Sequence, residues 1–247
     1  MKISRKFFFV LFIFFFVSCK ENKELKKYSF ALSGAISNPT EQCLILSEVG
    51  KSGFSQNDTI SLDKEGVFSK NIEMQEPTLY SLALGNEYII ICPTIGEQIS
   101  IKASGSNFSG TYNIEGSPES ELLKELNKEN YNVRLSLKSM SEELSKADTA
   151  KLDSIRTSII EKYTSTKQYQ EKITSDFINK NLGSLTTLIA LYRTFDGFAL
   201  FDYNQSLEMH KKVLQGLKQT LPNNQHTLTL ENFIAEKENA QKENGTK

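Results

Sequence analysis

The hydrophobic periodicity of the chain changes near residue 116, and this change limits the fold more than any other feature. Between residues 28 and 116, apolar and polar residues alternate in short segments that are separated by Gly, Pro, Asn and Asp. Such alternation is typical of strands with one buried face. After residue 116, apolar residues recur at three-, four- and seven-residue steps, which is typical of amphipathic helices. We therefore predict an α+β fold in which an antiparallel β-sandwich or partial barrel precedes an α-helical segment.

The first segment predicts a series of short strands joined by tight turns. The strand-like runs lie at residues 28–36, 43–49, 58–62, 67–72, 78–84, 87–92, 98–103 and 108–114. Gly66 follows Asp63-Lys64-Glu65, and because glycine tolerates the positive φ that tight connections need, these four residues predict a hairpin turn. Gly85-Asn86 predicts a second hairpin. Together these runs define a β-rich domain of residues 28–116.

The second segment predicts a helical domain of residues 117–240. Ser117-Pro118 is a helix start signal, because the hydroxyl caps free amides and proline needs no N–H at the first helical position. Two long helices are expected, the second beginning near Asp148, each with an apolar stripe. Shorter helices are expected at residues 184–194, 204–221 and 228–238. Residues 241–247 are charged and polar, which predicts a disordered tail.

The first 18 residues have the composition of a secretory signal peptide. Basic side chains at Lys2, Arg5 and Lys6 precede an apolar run, residues 7–17. A membrane-spanning helix needs ~20 apolar residues, so a permanent span is the weaker alternative. The sequence predicts export from the cytoplasm.

The end of this leader resembles the lipobox of bacterial lipoproteins. The tetrad is Phe16-Val17-Ser18-Cys19, with Phe in place of the usual Leu. By that resemblance Cys19 is the lipid attachment site, acylated with chains such as palmitate, and residues 19–27 form the anchor and a charged tether. The chain is then held by a membrane of the cell envelope, most readily the outer membrane, and faces the periplasm or the cell surface. The alternative is an ordinary signal cleaved near Ser18 with an incidental cysteine.

The order of motifs in the β-rich segment resembles a known family. The motifs are Phe30-x-Leu32-x-Gly34-x-Ile36, Asp58-x-Ile60, Gly66-x-Phe68, Pro77-x-Leu79-Tyr80-x-Leu82 and Gly96-x-x-Ile99-x-Ile101. They are similar to the N-terminal β-rich domain of unknown function in Bacteroidota-type lipoproteins that carry a thioredoxin-like domain, and the helices resemble the helical insert that follows it there. This chain contains no Cys-x-x-Cys, so the resemblance transfers no redox site. It implies an accessory or truncated relative whose redox domain is absent or is supplied by a partner.

Two further cysteines lie in the strand-like runs. With Cys19 lipidated, Cys43 and Cys92 remain in an oxidising compartment. They predict either a structural disulfide or two inert buried thiols, and the sequence leaves both open because pairing requires Cα atoms within ~7 Å. Neither His210 nor His226 stands at a metal-ligand spacing to them, so no metal site is predicted.

Charge and motif content argue against several functions. The chain has 29 basic and 30 acidic residues, which offers no basic surface for nucleic acid. No Gly-x-Ser-x-Gly, Ser-x-x-Lys or phosphate-binding glycine loop occurs, so we predict no catalytic residue and no cofactor. His210 stands beside Lys211 and Lys212 and is expected at the helix surface.

Asp196 and Asp202 flank an aromatic segment and offer the one candidate for acid–base chemistry. They predict either a carboxylate pair around an aromatic groove or a loop between helices. In the second interpretation Phe195, Phe198 and Phe201 fill the interface with the sheet.

Three functional hypotheses follow from these observations. The first is a non-enzymatic, lipid-anchored envelope protein that acts as a binding or assembly module, with an envelope protein as partner. The second is the accessory or truncated relative of a thioredoxin-like oxidoreductase, whose partner is thioredoxin-like. The third is an enzyme that uses scattered polar residues such as Asp196 or Asp202.

Overall fold

The β-rich half of the protein contains two four-stranded sheets. The computed structural model describes residues 28–50 and 53–245 and shows the expected α+β architecture, with sheets first and helices after them. The first sheet has the order β4-β1-β7-β8, formed by β1 (Tyr28–Ser37), β4 (Val67–Met74), β7 (Gln98–Ser104) and β8 (Asn113–Glu115). The second has the order β3-β2-β5-β6, formed by β2 (Cys43–Gly50), β3 (Gly53–Ser61), β5 (Tyr80–Leu84) and β6 (Glu87–Ile91).

One hydrophobic core joins the two sheets. Alternate residues of each strand point inward, including Leu32 of β1, Leu46 of β2 and Ile101 of β7, all at most 1% exposed. Within the described residues the sheets remain separate, so the domain is a sandwich rather than a closed barrel.

The first sheet is mixed rather than purely antiparallel. β1 pairs with β4 antiparallel but with β7 in parallel, from Ala31 opposite Gln98 to Ser37 opposite Ser104. Gly34 lies in the centre of this parallel pair, where a Cβ atom would lie 1.8 Å from the carbonyl oxygen of Ile101. The strands approach closely because position 34 has no side chain.

Only the end of the predicted strand at residues 108–114 is a strand, because residues 108–111 form a helix and β8 begins at Asn113. The Asn107 side chain accepts a hydrogen bond of 3.1 Å from Gly110 N and caps a short helix, α1 (Phe108–Thr111). Phe108 is fully buried in the sandwich core. The apolar residue at this position therefore reflects burial of a short helix and does not indicate a strand. β8 follows as only three residues.

Both predicted turns are present, but only one joins paired strands. Gly85 links β5 to β6 as a hairpin. At the other turn, Asp63 Oδ1 accepts hydrogen bonds from Glu65 N and Val67 N, and Gly66 has φ +78°. This turn carries the chain from β3 in one sheet to β4 in the other.

The helical half contains the two predicted long helices and three shorter ones. The long helices are α2 (Pro118–Ser145) and α3 (Leu152–Lys180), and α4 (Thr186–Leu191), α5 (Tyr203–Thr220) and α6 (Gln225–Gly245) follow. Between α4 and α5 lies a small hairpin of β9 (Thr194–Phe195) and β10 (Phe198–Ala199). No helix in the described ranges is both long and apolar enough to cross a bilayer.

The last helix extends further than its composition suggested. Residues 241–245 were expected to be disordered, but α6 continues to Gly245. Glu, Lys, Gln and Ala are strong helix formers, and α6 is held on α5 by an ion pair of 2.9 Å between Glu238 and Lys211. Gln241 adds a hydrogen bond of 3.4 Å to Asn204.

The helices pack on the outer face of the second sheet. This second core includes Leu79 and Cys92 from the β-rich half together with buried residues of the helices, Leu123, Leu126, Ile178, Leu185, Leu188, Leu191, Val213, Leu217, Leu230 and Ile234. The two halves of the chain are therefore joined by a shared apolar interface.

We predict that Gly34→Ala destabilises the protein by roughly 2–4 kcal/mol, because the new methyl group collides with the Ile101 carbonyl and separates β1 from β7. Gly50→Ala is the matched control, since a Cβ there meets atoms no closer than 3.5 Å. Urea unfolding of both variants measures the difference. Equal stability of the two variants would contradict the close approach.

Candidate interaction surface

A buried group of hydrogen bonds attaches α2 to the end of β6. Ser117 caps the helix by accepting a bond from Ser120 N, and the two hydroxyls are 2.8 Å apart. Cys92 N donates to Ser120 Oγ at 2.9 Å, and Ser117 Oγ donates to the Cys92 carbonyl at 3.4 Å. Both serines are at most 1% exposed, so these bonds are shielded from water.

From this attachment α2 runs antiparallel to β8. Gly116 N donates to Glu121, Lys124 donates to Asn113, and Asn127 donates to Tyr112 OH at 3.3 Å. Beyond Asn127, α2 continues for about 27 Å at 1.5 Å per residue. We call residues 128–170, which comprise the distal parts of α2 and α3 and their connection, the arm.

Polar contacts hold the two helices of the arm together. Gln170, 1% exposed, donates to Asn130 at 2.8 Å, and Tyr169 OH donates to Glu129 at 2.9 Å. Nearer the tip, Lys162 and Glu143 form an ion pair of 2.8 Å.

The β9–β10 hairpin braces the arm. Phe195 and Leu200 pack with Val133 of α2 in a small core of their own, and Tyr163 of α3 packs against it. Asp196 and Gly197 both have positive φ, as a two-residue hairpin turn requires.

Asp196 and Asp202 make separate structural hydrogen bonds and do not act as a carboxylate pair. Asp196 accepts a hydrogen bond of 3.1 Å from Tyr163 OH. Burial and this hydrogen bond raise the pKa of the Tyr163 phenol. Asp202 caps α5 by accepting from Asn204 N at 3.0 Å. The expectation that three phenylalanines fill the interface with the sheet is also wrong, because Phe195 packs against the arm and Phe198 is 76% exposed.

Apolar side chains on the arm remain exposed. Leu135 of α2 is 47% exposed and Ile160 of α3 is 65% exposed, and Tyr131, Leu144 and Tyr169 are also exposed. Between the helices lies an open groove of about 520 Å³. Its lining is mostly polar, with Leu135 and Met140 among Ser136, Ser139, Glu143, Lys162, Ser165 and Thr166. The arm thus presents exposed apolar side chains beside a polar groove, and exposed apolar groups with polar neighbours occur at protein-binding surfaces.

His226 lies at the junction between the sandwich and α6. Its Nε2 is 2.8 Å from Thr78 Oγ1, which donates to Glu48 at 3.3 Å when the imidazole is not its acceptor. In a catalytic triad the imidazole lies between hydroxyl and carboxylate, whereas here the hydroxyl is in the middle and is 3% exposed. Burial lowers the pKa of His226, and the carboxylates of Glu48 and Glu76 partly oppose this.

The loop before β5 is fixed to the first turn of α6 beside this histidine. Asn224 donates to the Pro77 carbonyl at 2.7 Å and accepts from His226 N at 2.9 Å. Gln225 N donates to Glu76 at 3.1 Å. The polar groups at this junction are therefore structural connections.

His210 is buried, contrary to the surface position expected for it. It is 2% exposed, its Nδ1 is 2.9 Å from the Ser206 carbonyl, and its ring packs edge-on against Tyr203. Val213 and Leu217 follow at helical spacing, and both are fully buried. That spacing, rather than the neighbouring lysines, was the informative signal.

Arg193 is a buried residue that the sequence did not reveal. It is 8% exposed and donates to Asn127 at 3.1 Å and to the Leu126 carbonyl at 3.5 Å, with no ion pair to a carboxylate within the described residues. Burial lowers the pKa of its guanidinium to about 10, so it remains charged at neutral pH. No motif surrounds it, and only the fold brings it to α2.

The cysteines are placed as follows. Cys19, the predicted lipid attachment site, lies outside the described residues. Cys43 and Cys92 are free thiols. They lie at opposite ends of the second sheet, two strands apart and about 20 Å apart along the strands, so the disulfide alternative is wrong. Burial raises the pKa of the Cys92 thiol far above its usual range, and Cys92 is inert.

The described part of the chain contains no cluster of three His, Cys, Asp or Glu side chains that could hold a metal ion. No protein-family model matches the chain, and no curated protein matches it. The resemblance to thioredoxin-like lipoproteins therefore stays a prediction from the quoted motifs.

We predict that the free energy of unfolding decreases as the pH falls below about 6.5, the ordinary histidine pKa. In this range His226 is protonated in the unfolded chain but stays neutral in the folded chain, because its folded-state pKa is lowered. Below the folded-state pKa of His226 both states are protonated, and the free energy of unfolding no longer decreases on this account. Urea unfolding between pH 5 and 8 measures this pH dependence. His226→Gln should flatten this part of the profile, and an unchanged slope in that variant would contradict the assignment.

We predict that Arg193→Met changes the free energy of unfolding by no more than about 1 kcal/mol, because relief of the buried charge offsets the lost hydrogen bonds. Arg193→Ala, which also removes packing, should cost about 2–4 kcal/mol. Thermal and urea unfolding compare the two. A large loss in the methionine variant would show that the charge itself stabilises the joint.

Proposed function

We propose that the protein is a non-enzymatic, lipid-anchored envelope protein that binds another envelope protein, and that the arm is its binding element. The observation that carries this proposal is the exposure of Leu135 and Ile160 on a two-helix projection that extends past the sandwich. Apolar side chains on such a projection have no core to join within the described chain, and burial against a partner removes them from water.

The uses of the polar groups support a binding role. Ser117 caps α2 and Ser120 joins that helix to Cys92. Thr78 and His226 join the sandwich to α6, Asp196 binds Tyr163 of the arm, and Asp202 caps α5. Each of these side chains has a structural partner. They therefore do not gather an acid, a base and a nucleophile in one cleft, as a catalytic site requires.

Anchoring is supported by the leader and its cysteine. The basic start and the apolar run of residues 7–17 have the composition of a secretory signal, and the tetrad ending at Cys19 resembles a lipobox. A diacylglyceryl group with a further acyl chain holds a protein stably at a membrane, as two chains do and one does not.

We predict that Leu135→Gln and Ile160→Gln, alone and together, reduce the yield of partner cross-linked to the protein in intact native envelopes. Both side chains are largely exposed, so the substitutions remove apolar contact area without opening the core. The yield is measured by affinity capture and quantitative mass spectrometry.

The matched control is Val67→Gln, an exposed apolar residue of β4 on the sandwich. Its cross-linking yield should equal that of the native chain. Equal yields from all variants would contradict the arm as binding element, and saturable substrate turnover by the purified protein would contradict a non-enzymatic role. A captured thioredoxin-like protein would favour the accessory alternative over a general assembly module.

A further inference from the structure

The place where the tether joins the sandwich lies at one identifiable end of it. Tyr28 begins β1, and the neighbouring Ser29 carbonyl accepts a hydrogen bond of 2.8 Å from Gly96 N. The loop that contains Ile95 therefore lies beside the start of β1. Tyr28 is 37% exposed and Ile95 is 44% exposed. We call this region the tether end.

The helix α2 also begins at the tether end. β7 runs parallel to β1, and β8 returns antiparallel to β7, so Glu115 lies opposite Ser100 near the start of β7. The backbone of Gly116 touches that of Gln98, because a Cβ on Gly116 would lie 2.1 Å from the Gln98 carbonyl oxygen.

The arm consequently points away from the tether end. The contacts of α2 with β8 proceed from Glu121 near Gly116 to Asn127 near Tyr112, which is the direction opposite to the start of β1. From Glu121 to Ser145 the helix extends about 36 Å at 1.5 Å per residue. The tip of the arm is thus the part of the helical hairpin most distant from the tether.

The length of the tether limits how far the sandwich stands from a membrane. Eight residues, 20–27, separate Cys19 from Tyr28. A chain of eight residues reaches at most ~30 Å when it is fully extended. The tether end therefore stays near the bilayer, while the arm tip is free to be more than a helix length away.

We propose that the end bearing Tyr28 and Ile95 faces the membrane surface and that the arm projects away from it, so that the arm meets its partner at a distance from the bilayer. The proposal rests on the lipid anchor of the proposed function.

The test uses the full-length acylated protein in phosphatidylcholine vesicles. In a Cys43→Ser background, with Cys92 buried and inert, a fluorophore is placed at Ile95→Cys or at Lys146→Cys, where the native side chain is 78% exposed. Headgroup spin-labelled lipid then quenches each label according to its distance. We expect quenching several-fold stronger at position 95 than at position 146.

The outcomes separate the orientation from the anchor. If the native chain floats with the vesicles and Cys19→Ala does not, the anchor stands, and equal or stronger quenching at position 146 overturns the orientation alone. If the native chain does not float, the anchor fails and the orientation falls with it.

Discussion

The direction of the arm depends on the hydrogen bonds that join Ser117, Ser120 and Cys92. Buried hydrogen bonds of this kind are strong because no water competes for them. They fix the first turn of α2 to Cys92, the residue that follows β6. A helix fixed at its first turn transmits that orientation along its whole length. The second apolar core, which includes Cys92 and Leu123, then packs between α2 and the second sheet. The Cys92 thiol thus contributes as a small apolar group rather than by its chemistry.

Buried polar groups elsewhere in the protein have the same task of joining elements. His226 and Thr78 connect α6 to the sandwich, and Arg193 connects the segment after α4 to α2. Such groups cost desolvation and specify one arrangement when each finds a partner. The lowered pKa values of His226 and Arg193 record that cost, because burial disfavours the charged form of both. Perturbed titration here reflects a structural role, although the same shifts often accompany catalytic sites.

The sequence predicted what depends on local pattern and missed what depends on the arrangement of distant segments. The start of α2 at Ser117-Pro118 and the turn at Gly85 were readable because capping and turn chemistry are local. The parallel pairing of β1 with β7 was not readable, since the paired residues are 67 positions apart in the sequence and their pairing depends on packing. Phe108 was mistaken for a strand residue because a buried side chain in a short helix leaves the same apolar signal. For the candidate site, the amphipathic stripes predicted the two long helices of the arm, but its exposed Leu135 and Ile160 became visible only after their neighbours were placed.

The arm combines a braced half with a tip that has few buried contacts. Near Val133 and Tyr163, the β9–β10 hairpin and its small core hold both helices. Residues 141–146 are all exposed, and the ion pairs there, such as Lys138 with Glu142, are solvent-exposed and contribute little. Segments with little burial open at low free energy, so the tip adjusts to a partner while the braced half keeps its direction. Direction thus comes from the base of the arm and adaptability from its tip, which suits a module that must find a partner away from its own attachment point.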